Sequence, residues 1–136
     1  MPNYDASRYD PPAPVAQVTL RDLRSGTLLP NVLLLLDTGA DITLLPRAAV
    51  ERLGVKPVGG KDYELLGFDG SRSTAQAVEL DMIFLQKVYR GRYLLIDDDR
   101  GVLGRDVLAS VALLLHGPRQ EWSERDAGDG QDRAVP

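Results

Sequence analysis

Asp37-Thr38-Gly39-Ala40-Asp41 places an acid directly after the apolar run Val32-Leu33-Leu34-Leu35-Leu36. A carboxylate at the end of a covered strand is costly unless it has a partner or a task. Thr38 supplies a hydroxyl that can tie the loop down, and Gly39 lets the backbone approach closely or take an unusual dihedral. Ala40 is small enough for the following chain to pack tightly. A carboxylate held rigidly in this way suits general acid–base catalysis. On its own, Asp-Thr-Gly reads more readily as an acid that starts a turn.

A second segment changes the weight of the first. Val102-Leu103-Gly104-Arg105-Asp106-Val107-Leu108 is again an apolar strand delivered into a tight turn, here followed by a short helix. Taken alone it reads as a helix N-terminus with a charged first turn. Arg105 is nevertheless a fitting partner for a semi-buried acid, because its planar fork binds carboxylates bidentately. Between the two segments, Gly67-Phe68-Asp69-Gly70-Ser71 separates two strand-like stretches, which predicts a hairpin.

In this order, the acid loop, the glycine-containing hairpin and the apolar-apolar-Gly-Arg segment resemble the retropepsin family of aspartic peptidases. The resemblance runs from about Val15 to Pro118. The helix after the acid loop and Leu113-Leu114-Leu115-His116-Gly117-Pro118 look more like the bacterial members than the viral ones. It implies a mostly-β fold: a closed retropepsin-like barrel with a flap hairpin and one or two short helices, working as a homodimer. It implies that Asp37 is the catalytic carboxylate and that Thr38 locks two such loops across the dimer axis. Gly39 would offer its backbone to substrate. Ala40 and Asp41 would line the substrate site, and Asp41 would pair with Arg105. Gly67, Phe68, Asp69 and Gly70 would form the flap tip over the substrate; the bulky, charged Phe68-Asp69 pair departs from the family pattern. Gly104 and Arg105 would support the site. The segment before Val102 would border the subsites, so that Asp97-Asp98-Asp99 would disfavour acidic substrate residues.

Asp-Thr-Gly occurs once. Asp126-Ala127-Gly128 looks similar but follows no apolar strand. A single catalytic acid implies that the second comes from another copy, most simply through a two-fold axis. Two such carboxylates cannot both ionise at close range, so they share a proton. The implied function is an aspartic endopeptidase acting on peptide or protein substrates, with no cofactor and no metal. Two other readings compete: a peptide-binding or scaffolding module on the same fold, and an unrelated small β-barrel with a chance Asp-Thr-Gly.

The elements that must position these residues follow from periodicity and turn residues. Val15 to Leu23 and Thr27 to Leu36 read as strands around the Arg24-Ser25-Gly26 turn. Pro46 to Leu53 reads as a helix, with an apolar stripe of Ala48, Ala49, Val50 and Leu53 and an exit at Gly54. Tyr63 to Leu66 and Thr74 to Leu85 read as strands, the second with Val78, Leu80, Met82 and Phe84 against Glu79 and Asp81. Arg92 to Ile96 and Val111 to Leu115 complete the set. Residues 1–14, rich in proline and aspartate, read as a flexible lead-in, residues 15–120 as the folded domain and residues 121–136 as a polar, disordered tail.

Composition closes off other chemistries. The 136 residues suffice for one domain. The net charge of −4 comes from interspersed acids and bases, without the basic stripe of a nucleic-acid binder. There is no cysteine, and the lone His116 sits beside Gly117-Pro118, so thiol nucleophiles, Ser-His-Asp triads and transition-metal sites lack their residues. Asp97-Asp98-Asp99 could hold a hard cation but reads better as a solvated turn. The apolar run 32–36 is too short to span a bilayer and no signal peptide is apparent, which predicts a soluble, cytoplasmic protein without a membrane partner.

Overall fold

The computed structural model describes residues 3–59, 62–66 and 69–125. In chain order the elements are strands β1 (Tyr4–Asp5), β2 (Ala13–Arg21), β3 (Leu28–Leu36) and β4 (Leu44–Pro46), then helix α1 (Arg47–Leu53). Strands β5 (Tyr63–Leu66), β6 (Arg72–Ala75), β7 (Ala77–Phe84), β8 (Lys87–Ile96) and β9 (Gly101–Leu103) follow. Helix α2 (Arg105–Leu108), strand β10 (Leu113–His116), a 3₁₀ turn (Gly117–Arg119) and strand β11 (Glu121–Glu124) complete the chain. Among the described residues no helix is long and apolar enough to cross a membrane.

The main sheet runs β1-β2-β3-β9-β4-β8-β7, and β2 also pairs with β7. That last pairing closes strands β2, β3, β9, β4, β8 and β7 into a barrel, as the retropepsin resemblance implies. Strand β9 is parallel to β3 and antiparallel to β4, so it lies between the strand that delivers Asp37 and the strand that follows it. The barrel interior holds Leu20, Leu34, Leu80, Met82, Phe84 and Leu103, all buried. Each such side chain contributes about 1.5–3 kcal/mol. Covered on both faces, β3 buries Val32 and Leu34 and half-buries Leu33 and Leu35.

Helix α1 forms as its sequence predicts, with Pro46 in the N-cap position and Gly54 at φ 87° closing its C-terminus. Only a glycine adopts that left-handed exit without strain. Ala49, Val50 and Leu53 face the core, whereas Ala48 is exposed.

Four features differ from the sequence reading. Strand β8 starts at Lys87 rather than Arg92, joined to β7 by a tight turn with Leu85 at φ 52° and Gln86 at φ 65°. Two left-handed residues define the favoured two-residue hairpin, but neither is the Gly or Asn that would signal it. The stretch from Thr74 to Leu85 divides at Gln76, because β6 pairs with β5 while β7 joins the barrel. Asp81 is buried, not on a polar face. It stands directly opposite Arg21 on β2 and Arg90 on β8. Its carboxylate accepts from Arg21 Nη2 at 2.8 Å and from Arg90 Nε at 2.9 Å. The Arg90 bond, against the pull of burial and aided by Arg21, holds the Asp81 carboxyl below the usual range.

The fourth difference concerns the ends. Inside the stretch read as a lead-in, β1 pairs with the start of β2, and Asn3 bridges to Glu121. Past the boundary placed at residue 120, β11 pairs with β10 and buries Trp122. The indole Nε1 donates to the Val15 carbonyl at 2.8 Å, and the ring packs on Phe84 with centroids 6.1 Å apart. One large aromatic in a polar stretch is enough to hold it to the body. Residues 126–136, including Asp126 and Gly128, lie outside the described residues.

Candidate active site

Asp37 leaves β3 at a point held from both sides. Its backbone N–H donates to the Leu103 carbonyl at 3.0 Å, and its own carbonyl accepts from the Ala40 N–H at 3.2 Å. Its carboxylate Oδ1 folds back to accept from the Gly39 N–H at 2.9 Å. A Cβ on residue 39 would stand 3.1 Å from that oxygen, a tight contact that the carboxylate could relieve only by shifting. Thr38 and Gly39 are exposed and Asp37 and Ala40 half-exposed, so the loop faces open solvent at the end of the barrel.

The second segment braces this loop from below. The Arg105 N–H donates to the Ala40 carbonyl at 2.8 Å. A Cβ at Gly104 would lie 2.8 Å from the Ile42 carbonyl and 2.9 Å from the Ala40 oxygen, so no other residue fits. Thr43, which sequence reasoning passed over, is fully buried and forms the pin. Its hydroxyl donates to Asp106 Oδ1 at 2.7 Å and accepts from the Gly104 N–H at 3.0 Å. Its own N–H donates to Asp106 Oδ2 at 3.0 Å. A hydroxyl within the apolar stretch Ile42-Thr43-Leu44-Leu45 was the signal available for it.

Arg105 differs from its expected role. Its Nη1 donates to the Thr38 carbonyl at 2.6 Å, and among the described residues it forms no ion pair with Asp41. A guanidinium satisfied by a loop carbonyl still fixes the loop, by a charge-assisted hydrogen bond rather than an ion pair. Asp41 stays exposed on the cleft wall.

A family model described as aspartyl protease matches residues 16–107 of this chain. The chain belongs to the aspartyl protease family. Among solved structures, the EIAV protease complexed with the inhibitor HBY-793 is similar, at 27% identity and a TM-score of 0.54. That match covers 72% of this chain and 86% of the EIAV chain. No curated protein matches the chain. The family and the retroviral protease fold agree with the retropepsin-like reading of the sequence.

In this family member the loop opens onto a cleft of about 1090 Å³. Ile42, Leu44, Leu94 and Val102 form an apolar floor, and β5 covers one side with Tyr63 and Leu65. Strands β5 and β6 form the flap hairpin, paired from Tyr63↔Ala75 to Leu66↔Arg72. Of the expected tip residues, Gly67 and Phe68 lie outside the described residues. Gly70 takes φ 84°, and the Ser71 hydroxyl, together with the Ser71 N–H at 2.9 Å, holds the Asp69 carboxyl below its ordinary range.

The acidic turn does not border the cleft, contrary to expectation. Asp97 pairs with Arg47 at 2.7 Å and Asp98 with Arg100 at 3.4 Å, and none of Asp97, Asp98 and Asp99 lines the space. Among the described residues no cluster of three or more His, Asp or Glu side chains could hold a metal.

Proposed function

We propose that this aspartyl protease is an endopeptidase that acts as a two-fold homodimer, with one Asp37 from each copy at a shared site. The observation that carries the reading is the placement of Asp37. The carboxylate stands at the mouth of a cleft beneath a flap hairpin, on a loop pinned by Gly104, Arg105 and Thr43. The family's chemistry needs two such acids, and one chain carries a single Asp-Thr-Gly.

In the pair, one carboxylate is charged and the other protonated. The charged member takes a proton from a water whose oxygen attacks the peptide carbonyl carbon. The neutral member gives its proton to the carbonyl oxygen. As the C–N bond of the tetrahedral diol breaks, the nitrogen takes the dyad's proton and one diol hydroxyl gives its proton back to the dyad, which releases acid and amine and restores the starting state. Thr38 locks the two loops to each other. Gly39, Ala40 and Asp41 bind the substrate main chain, and the β5–β6 hairpin, with Asp69 and Gly70, covers it. No covalent intermediate forms.

A statine-containing peptide, which mimics the tetrahedral diol, tests this. A working dyad binds it at least about 100-fold more tightly than the matching plain peptide. Equal affinity for both would leave a peptide-binding module and overturn the peptidase reading.

A further inference from the structure

Among the described residues the cleft has one cationic wall residue, and its position points to a charge preference in the substrate. Among the described residues, Asp37, Asp41, Glu64, Asp106 and Arg92 are the charged ones that line the space. Both oxygens of Asp106 are committed to Thr43, and Glu64 pairs with Arg72 at 3.2 Å across the flap hairpin. Arg92, on β8, instead leans on a neutral group: its Nη1 donates to the Tyr63 phenol at 2.8 Å. Glu79, directly opposite it on β7, forms only a loose ion pair with it, at 3.7 Å from Oε2 to Nη2. The guanidinium therefore presents charge and donors toward the cleft without a tightly bound acid.

Between Arg92 and the catalytic loop lies the apolar floor of Ile42, Leu44, Leu94 and Val102. We infer that Arg92 is a specificity-determining residue: it selects peptides with an acidic side chain, glutamate over aspartate, at the subsite where that side chain crosses the apolar floor to reach the guanidinium. Methylenes suit the floor, and a terminal carboxylate suits the planar fork of Arg92. The longer stem of glutamate spans more of the floor than that of aspartate. Because each copy of a two-fold dimer brings its own Arg92, the preference belongs to both sides of the scissile bond.

This inference rests on the peptidase reading, and the experiment separates the two. A cleavable peptide is rebuilt with Gln, Glu, Asp or Lys at each of the four positions on either side of the bond. The readout is the ratio of kcat/KM for the Glu and Gln peptides within each enzyme, so that a general loss of activity cancels. The wild-type enzyme gives a Glu/Gln ratio of roughly 5–10 at one position per side, the scale of a partly solvated ion pair. That ratio falls to near one in Arg92→Gln, survives in part in Arg92→Lys, and turns to a preference for Lys in Arg92→Glu. A cleaved peptide set with no position favouring Glu, or a Glu preference that survives Arg92→Gln, overturns the assignment and leaves the peptidase standing. A set that wild-type enzyme cannot cleave at any pH overturns both.

Discussion

Replacing Thr43 with valine removes one oxygen while keeping the volume of the side chain. The hydroxyl holds two partners: it accepts from the Gly104 N–H at 3.0 Å and donates to Asp106 at 2.7 Å. Asp106 is exposed and regains water when the hydroxyl is lost. Gly104 is buried, and its N–H is left without a partner; such an orphaned donor costs about 1–3 kcal/mol. With a fraction of the Asp106 bond added, the loss comes to about 2–3 kcal/mol. For a chain of this size that lowers Tm by roughly 6–9 °C. Thr43→Ser keeps the hydroxyl and gives up one methyl, a loss of about 1 kcal/mol. Thermal unfolding at one fixed protomer concentration, since dimers unfold in a concentration-dependent way, ranks the three proteins. Wild type should be most stable, serine next and valine last, with peptide cleavage following the same order below the melting range. A valine variant as stable as the serine variant would refute the claim that this hydroxyl pins the Asp37 loop.

Gly104→Ala puts a methyl 2.8 Å from the Ile42 carbonyl, so it should cost about 1–3 kcal/mol in a urea titration and lower kcat by displacing the loop. Arg105→Leu removes the donor to the Thr38 carbonyl; because the side chain is exposed, stability should fall by only about 0.5–1.5 kcal/mol while activity falls far more. Asp81→Asn tests the buried acid between Arg21 and Arg90. Its folded pKa is depressed, so the stability it contributes is present above the unfolded value near 4 and is lost as pH falls through the folded value. Urea midpoints should show the variant about 1–3 kcal/mol weaker at neutral pH, with a shallower acid decline than wild type below about pH 4.

The parts of the fold that were legible were those in which local chemistry and tertiary role agree. The five apolar residues before Asp37 form a strand covered on both faces, and Gly54 ends α1 in the left-handed conformation that glycine favours. Gly104 and Arg105 lie against the Asp37–Ile42 segment because a close backbone approach demands the one and a loop carbonyl engages the other. What stayed hidden depends on partners distant in sequence. Asp81 looks like a surface acid until Arg21 and Arg90 are brought opposite it. Thr43 looks like a strand residue until Asp106 and Gly104 meet its hydroxyl. Trp122 makes β11 part of the body through a core contact that the surrounding polar residues do not announce. The turn at Leu85-Gln86 adopts a conformation that its residue types do not favour, so pairing along β7 and β8 must impose it.

The shared site itself is tested most directly by poisoning it. Asp37→Asn nearly preserves shape, so mixed dimers form, but the amide cannot ionise or exchange roles with the remaining carboxylate. Wild-type and Asp37→Asn chains are mixed at fixed total concentration, with subunit exchange confirmed by native mass spectrometry, and peptide cleavage is followed against the mixing ratio. If each site takes one Asp37 from each copy, activity falls as the square of the wild-type fraction. A straight-line fall despite confirmed exchange would mean that each chain works alone, and it would contradict the account.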